Sequence, residues 1–310
     1  MNNFAFHNPV LLAEMLENLA PKKGEVYLDA TFGAGGYSQA ILEAANCKVY
    51  AIDRDETAQK FAAELTKKFP NNFVFCSGKF SQAKEILAEK NITQLDGIIL
   101  DIGVSSMQLD DKTRGFSFDS EAKLDMRMDQ QNPFSAFELV NQTGEEELAE
   151  IIKEYGEEPK ARKIAKKIIE TRKIAPITSC KELADIVRSL YFGYHRTDPA
   201  TKTFQALRIF INQELDELKG ILNSSISLLK PEGRLVVVSF HSLEDSIVKN
   251  FLKKQSGLDD TRSRYLPEII AEKSTKNFRL ITKSAISPTK EEVERNVRSR
   301  SSRMRVAIKI

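Results

Sequence analysis

The sequence predicts an α/β fold: an open, mostly parallel sheet of about seven strands, interrupted after the fourth by an inserted helical domain. Three observations predict it. Short apolar runs alternate with amphipathic helical segments through the first hundred or so residues, which implies right-handed crossovers between parallel strands. A polar stretch followed by helices then breaks the alternation. The strand pattern resumes with Gly233–Phe240 (GRLVVVSF), an unambiguous buried strand.

Element by element, Val26–Phe32 (VYLDATF) is short, partly β-branched and followed by glycines, so it reads as the first strand. Tyr37–Ala45 follows as a helix. Lys48–Asp53 is a second strand, ending on an acid. Glu56–Phe69 sets Ala58, Phe61, Ala62 and Leu65 on one helical face. Asn72–Cys76 is a third strand, Ser81–Lys90 a helix, and Leu95–Ile102 a fourth strand. Met107–Pro133 is polar and too long for an ordinary connection. Capping boxes are read at Thr143 with Glu146 and at Ser179 with Glu182. Between them, Ala161, Ile164, Ala165, Ile168 and Ile169 share a helix face. A long helix is expected over Thr203–Leu229, then the strand Gly233–Phe240 and a helix over Ser242–Lys254, capped by Ser242 with Asp245 in its first turn. Phe278–Lys283 and Met304–Ile310 are the remaining candidate strands. The expected division is residues 1–106 with 206–310 as one domain and 107–205 as the helical insertion.

Composition bounds the function. The chain has 310 residues, with 46 Lys and Arg against 44 Asp and Glu. That balance excludes a uniformly basic nucleic-acid-binding surface and leaves local patches open. Such patches exist: Lys160–Lys173 holds seven basic residues against Glu170 alone, and Arg295–Ile310 holds six and no acid. Glu145–Glu158 carries seven acids and one lysine, and either faces away from a polyanion or pairs with the neighbouring basic helix. Cys47, Cys76 and Cys180 are far apart and form no CxxC pair, so neither a disulfide framework nor a zinc site is expected. No apolar run reaches membrane length, and the N-terminus lacks a signal-peptide pattern. A cytoplasmic protein with no membrane partner is therefore expected.

The turn after the first strand, Asp29–Gly36 (DATFGAGG), carries the chemistry. Glycines allow positive φ and close backbone approach, and the amides opening the next helix favour negative charge. Asp53, at the end of the second strand, is placed to bind both hydroxyls of a ribose. This fits either a nicotinamide dinucleotide or S-adenosylmethionine. However, G-x-G-G is not G-x-G-x-x-G, and Asp29 suits a ligand with an ammonium group better than a pyrophosphate. Asp101 ends the fourth strand in DIGVSS, where a carboxylate can orient an exocyclic amine and accept its proton, or can merely bond loop amides. His241, after the later strand, is either catalytic or a bridge between loops; for His7 and His195 a structural role is favoured.

These segments form long, ordered motifs. They include HNPVLLAE from His7, AIDRD from Ala51, DIGVSSMQLD from Asp101, RGFSF from Arg114, LDMRMD from Leu124, YGEE from Tyr155, TFQALRI from Thr203 and SFHSLED from Ser239. On these motifs the chain resembles the bacterial 16S rRNA (cytosine-N4-)-methyltransferases of the RsmH (MraW) family over nearly its whole length. The resemblance implies a class I S-adenosylmethionine-dependent methyltransferase fold, Rossmann-like, with the helical insertion recognising substrate. It implies N4-methylation of a cytosine in the decoding (P-site) region of 16S rRNA. The donor would be released as S-adenosylhomocysteine, and no metal is needed. The family's donor positions fall on Gly35, Gly36, Tyr37, Asp53, Phe80, Asp101 and Gln108, beside Asp29 and Gly33 from the loop itself. Tyr37 and Met107 depart from the family's usual His and Pro, and Asp198 and Lys202 from its His and Arg.

The partner implied is 16S rRNA in the small subunit or a late assembly intermediate, with monomer and homodimer both open. Arg127, His241, Arg298 and Arg300 are candidate substrate contacts. Phe116 and Phe118 are candidates to stack on a flipped base, or are buried in the loop's own small core. The insertion and the Met107–Pro133 loop are the expected walls of that pocket. The rivals are a nicotinamide-dependent oxidoreductase, disfavoured by the loop spacing and the Asp101 segment, and a non-enzymatic RNA-binding assembly factor.

Overall fold

The structure, a computed structural model, describes residues 9–258 and 276–310. His7 and Asn8 of the N-terminal motif lie outside the described residues. The chain divides into two compact units, Met1–Gly103 with Leu215–Ile310, and Val104–Glu214.

The first unit begins with α1 (Leu12–Leu19), β1 (Val26–Asp29), α2 (Gly36–Ala44), β2 (Lys48–Asp53), α3 (Ala58–Lys68), β3 (Phe73–Ser77), α4 (Ala83–Ala88) and β4 (Leu95–Asp101). The second unit holds α5 (Ser106–Asp110), α6 (Ala136–Gln142), α7 (Glu145–Gly156), α8 (Ala161–Arg172), α9 (Cys180–Arg188) and α10 (Thr201–Asn212). The chain returns through α11 (Glu214–Leu228) to β5 (Leu229–Ser239), α12 (Ser242–Gln255), β6 (Phe278–Leu280), α13 (Lys290–Arg295) and β7 (Arg303–Lys309).

The seven strands form one sheet in the order β3-β2-β1-β4-β5-β7-β6, with β1 to β5 parallel and β7 antiparallel to both neighbours. This is the class I methyltransferase arrangement. Successive residues face opposite sides. Leu28, Tyr50, Ile98 and Val237 enter one core cluster, while Tyr27, Val49, Ile99 and Val236 enter the other. A sheet buried on both faces needs near-continuous apolar strands, which explains the runs seen in the sequence. The strand order reverses between β1 and β4, so the crevice beyond their C-terminal ends is the ligand position of this topology. The second unit has its own core, in which Leu139, Leu148, Ile152, Ile164, Ile168, Leu183 and Leu207 are all fully buried.

The structure corrects several sequence expectations. The helix expected over Thr203–Leu229 is two helices, broken at Gln213 with φ +52°. The break is held by an Arg208–Glu214 ion pair at 2.8 Å and by Asn212, which accepts from Met128 N and donates to Met126 O, both at 2.8 Å. The unit boundary consequently falls at Glu214/Leu215, and α10 stays whole in the second unit. Thr143 and Glu146 form no capping box. Thr143 ends α6, Gly144 opens α7, and the box in this region is Ser135 with Glu138. The Ser179–Glu182 box is present. Ser242 is not the cap of α12; His241 is, in a box with Glu244. The last strand, β7, is interior to the sheet; its Arg305 is half-buried against Asp245 at 2.6 Å, while Arg303, 3.4 Å from the same carboxylate, stays exposed to solvent.

Candidate active site

The glycine turn is held from beneath by two carboxylates. Asp29, the last residue of β1, is fully buried. Its Oδ2 accepts from Ser38 Oγ at 2.7 Å and its Oδ1 from Thr31 N at 3.3 Å, tying the strand end to the first turn of α2. Burial pushes its carboxyl up to about 6, although the bonds from Ser38 and Thr31 oppose the shift. With no exposed surface, Asp29 holds the loop to the strand end from within the fold.

Asp53, ending β2, is half-buried. Its Oδ2 accepts from Gly33 N at 2.7 Å and its Oδ1 from Asp55 N at 2.8 Å. A carboxylate offers about four acceptor positions, so two remain for the two hydroxyls of a ribose. Burial raises its pKa, with the Asp55 charge adding to the effect. Gly35 sits at φ +82°, and a Cβ there would lie 2.7 Å from Cζ of Phe32. Phe32 cannot retreat, because its ring packs on Phe73 and Phe75 with centroids 5.4 Å away. Steric space and backbone conformation thus both require glycine. Gly36 opens α2, and the amides of its first turn have no partner within the helix.

Asp101 closes the site. It ends β4 beside β1, and its backbone N donates to Thr31 Oγ1 at 2.7 Å. Its Oδ1 is buried and has no hydrogen-bond partner among the described residues. Burial, followed by the charges of Asp29 and Glu244, holds its pKa well above the usual carboxylate range, and the Tyr37 hydroxyl offsets only part of this. Tyr37 is itself buried in the first turn of α2, with its hydroxyl in reach of both the Val10 carbonyl and the Asp101 carboxyl. Phe80 opens a short turn after β3, half-buried against the sheet cluster that contains Leu28 and Ile52.

The structure brings together Asp29, Gly33, Gly35, Gly36, Tyr37, Asp53 and Asp101 in the first unit. Sequence reasoning missed Thr31 and Ser38, whose hydroxyls lock the loop to β4 and β1; both lie inside or beside the loop motif. The other candidates carry structural duties. Gln108 belongs to the second unit and forms the α5 capping box with Ser105. Arg127 binds both oxygens of Asp125 at 2.7 Å and donates to the carbonyls of Gln130 and Asn132, so its guanidinium folds its own loop. His241 caps α12. Phe116 is buried in the core of the second unit, and the half-buried Phe118 packs edge-on against Phe204 at 5.9 Å. Arg298 and Arg300 are exposed in the turn before β7. Asp198 accepts two bonds from Arg188, and Lys202 donates to Glu157 O.

Comparison with known proteins adds to this geometry. The model of the MraW methylase family matches residues 4–310. A Rickettsia akari protein named ribosomal RNA small subunit methyltransferase H is 51% identical over 305 residues, covering 98% of each chain. The protein of that name from Ehrlichia canis is 49% identical over 98% of this chain and all of its own. The Orientia tsutsugamushi protein of that name is 47% identical over all of this chain and 99% of its own.

Proposed function

The chain belongs to the MraW methylase family, and on that premise we propose that it transfers a methyl group from S-adenosylmethionine to N4 of a cytosine in the decoding (P-site) region of 16S rRNA. The observation that carries the reading is the buried, unpartnered Oδ1 of Asp101 at the β4 end. An unpaired buried acceptor costs about 1–3 kcal/mol, and here it stands where the strand order reverses, beside a glycine loop.

The residues fit the donor. Asp53 has acceptor positions left for ribose hydroxyls, the first-turn amides of α2 and the glycine cradle admit a close backbone approach, and Phe80 offers a partly open ring. When bound, the donor supplies an electrophilic methyl group on a sulfonium. Asp101 accepts an N–H of the exocyclic amine and thereby turns the nitrogen lone pair, otherwise delocalised into the ring, toward the methyl group. A positive charge nearby favours its ionised form, and that carboxylate can take the amine proton as the N–C bond forms and the S–C bond of the donor breaks. Asp29, Thr31 and Ser38 keep the loop and the β4 end in register while this happens.

The test is methyl transfer from labelled donor to small subunits, and to naked rRNA, lacking the modification. Nuclease mapping and mass spectrometry of the product nucleotide follow. N4-methylcytidine at one decoding-region position is expected. A methyl group on ring carbon, on ribose or at a different base overturns the N4 assignment. No incorporation into either substrate overturns the enzymatic reading.

A further inference from the structure

The second unit shows two rings where a folded core would not leave them. Between α9 and α10, Phe192 and Tyr194 are 88% and 94% exposed, the two aromatic residues among the large exposed side chains of the described residues. Gly193 between them adopts φ +82°, with nothing within 4 Å of where a Cβ would stand, so the loop reverses in open solvent. Isolated apolar exposure is ordinary, but two rings on one reversal, beside cations, call for a partner.

The cations are adjacent. Lys160, at the start of α8, donates to Leu190 O at 2.8 Å and lies 3.8 Å over the Tyr191 ring, pinning the loop base to that helix. His195 packs edge-on against Tyr191, and its Nε2 lies 3.1 Å from Phe192 O. From this anchor, α8 presents Arg162, Lys163, Lys166 and Lys167 to solvent on the face opposite its buried Ile164, Ala165 and Ile168. Arg196 is exposed as well. Among the described residues, no ion pair joins these four basic residues of α8 to the acids of α7, so their charge is available to an outside polyanion.

We propose that Phe192 and Tyr194, with the basic face of α8, form a stacking platform for an unpaired segment of the RNA substrate. The proposal deepens the rRNA reading above and rests on it. Stacking needs unstacked bases, since a duplex hides their faces, and phosphates supply the countercharge for the α8 face. A membrane surface or a protein partner would also meet cations and rings, but neither needs flat π-faces in place of aliphatic bulk.

The experiment uses the full chain and a fluorescein-labelled single-stranded fragment of small-subunit rRNA, with the same fragment in duplex as the contrast. Two double variants are compared: Phe192→Ala with Tyr194→Ala, and Phe192→Leu with Tyr194→Leu. Loss of single-strand affinity of roughly 5- to 150-fold per ring is expected in both, with donor binding unchanged and KM for RNA raised more than kcat falls. Lys166→Ala with Lys167→Ala should lower the salt dependence of binding by about 1.4 in log–log slope. Wild-type affinity in the leucine pair, or in the alanine pair, overturns stacking. So does a change in oligomeric state or in binding to anionic vesicles without a change in RNA affinity. Stacking and function fail separately: unaltered RNA binding with normal methyl transfer sinks only the platform, whereas ring-dependent binding without transfer sinks only the enzymatic reading.

Discussion

At the residue scale, the site is governed by carboxylates held out of water. Asp101 sits well above the normal carboxylate range through burial and the charges of Asp29 and Glu244. Binding a cationic donor should therefore release a proton from it. Calorimetry in two buffers of different ionisation enthalpy should detect this release in the wild type and lose it in Asp101→Asn. The same variant should keep donor affinity while transfer falls on the order of 100-fold or more; full activity would remove Asp101 from the mechanism. Asp29 makes a different prediction. Its folded pKa of about 6 lies above the unfolded value, so the native state binds more protons between about pH 4 and pH 6. Its contribution to stability is then complete at the acid end and is lost as pH rises through that window, on the order of 3 kcal/mol in all. Relative to Asp29→Asn, the wild type should lose Tm from pH 4 to 6 and change little above. Asp29, Asp53 and Asp101 were legible in the sequence as acids at strand ends. Their division of labour was not, because it depends on which oxygens the folded loop occupies.

At the scale of elements, local signals worked where the motif alone fixes the hydrogen bonds. The Ser179–Glu182 box is such a case, and the apolar face read on Lys160–Lys173 is the buried face of α8. They failed where two registers compete. Thr143 had the right spacing for a cap, but it ends α6, and Ser242 lost its capping place to His241. The helix break at Gln213 has no glycine or proline to announce it; the Arg208–Glu214 pair and the Asn212 bonds supply the reason. Packing between elements carries its own prediction. A Cβ on Gly156, at the end of α7, would stand 2.5 Å from the backbone O of Lys202 in α10. Backbone cannot yield as a side-chain tip does, so Gly156→Ala should destabilise the second unit by about 1–3 kcal/mol, read by denaturant titration.

At the scale of the whole molecule, the near-neutral charge conceals segregation: acids on α7, bases on α8 and around Arg298 and Arg300. No helix among the described residues is long and apolar enough to cross a membrane. Since the second unit buries its own cluster, from Phe116 to Ile211, residues 104–214 expressed alone should keep helical circular dichroism and melt cooperatively. A non-cooperative melt would show that this core depends on the rest of the chain. By itself the sequence determined the alternation of strands and helices, the insertion, the glycine loop and the acids at the strand ends, because period, turn chemistry and motif order are local properties. Only the tertiary structure decided that Asp29 is buried, that Arg127 folds its own loop while Phe116 is buried and Phe118 packs against Phe204 of α10, and that Phe192 and Tyr194 are left in solvent. Whether a side chain is spent inside the fold or offered to a ligand depends on partners far away in the chain, and no local pattern encodes them.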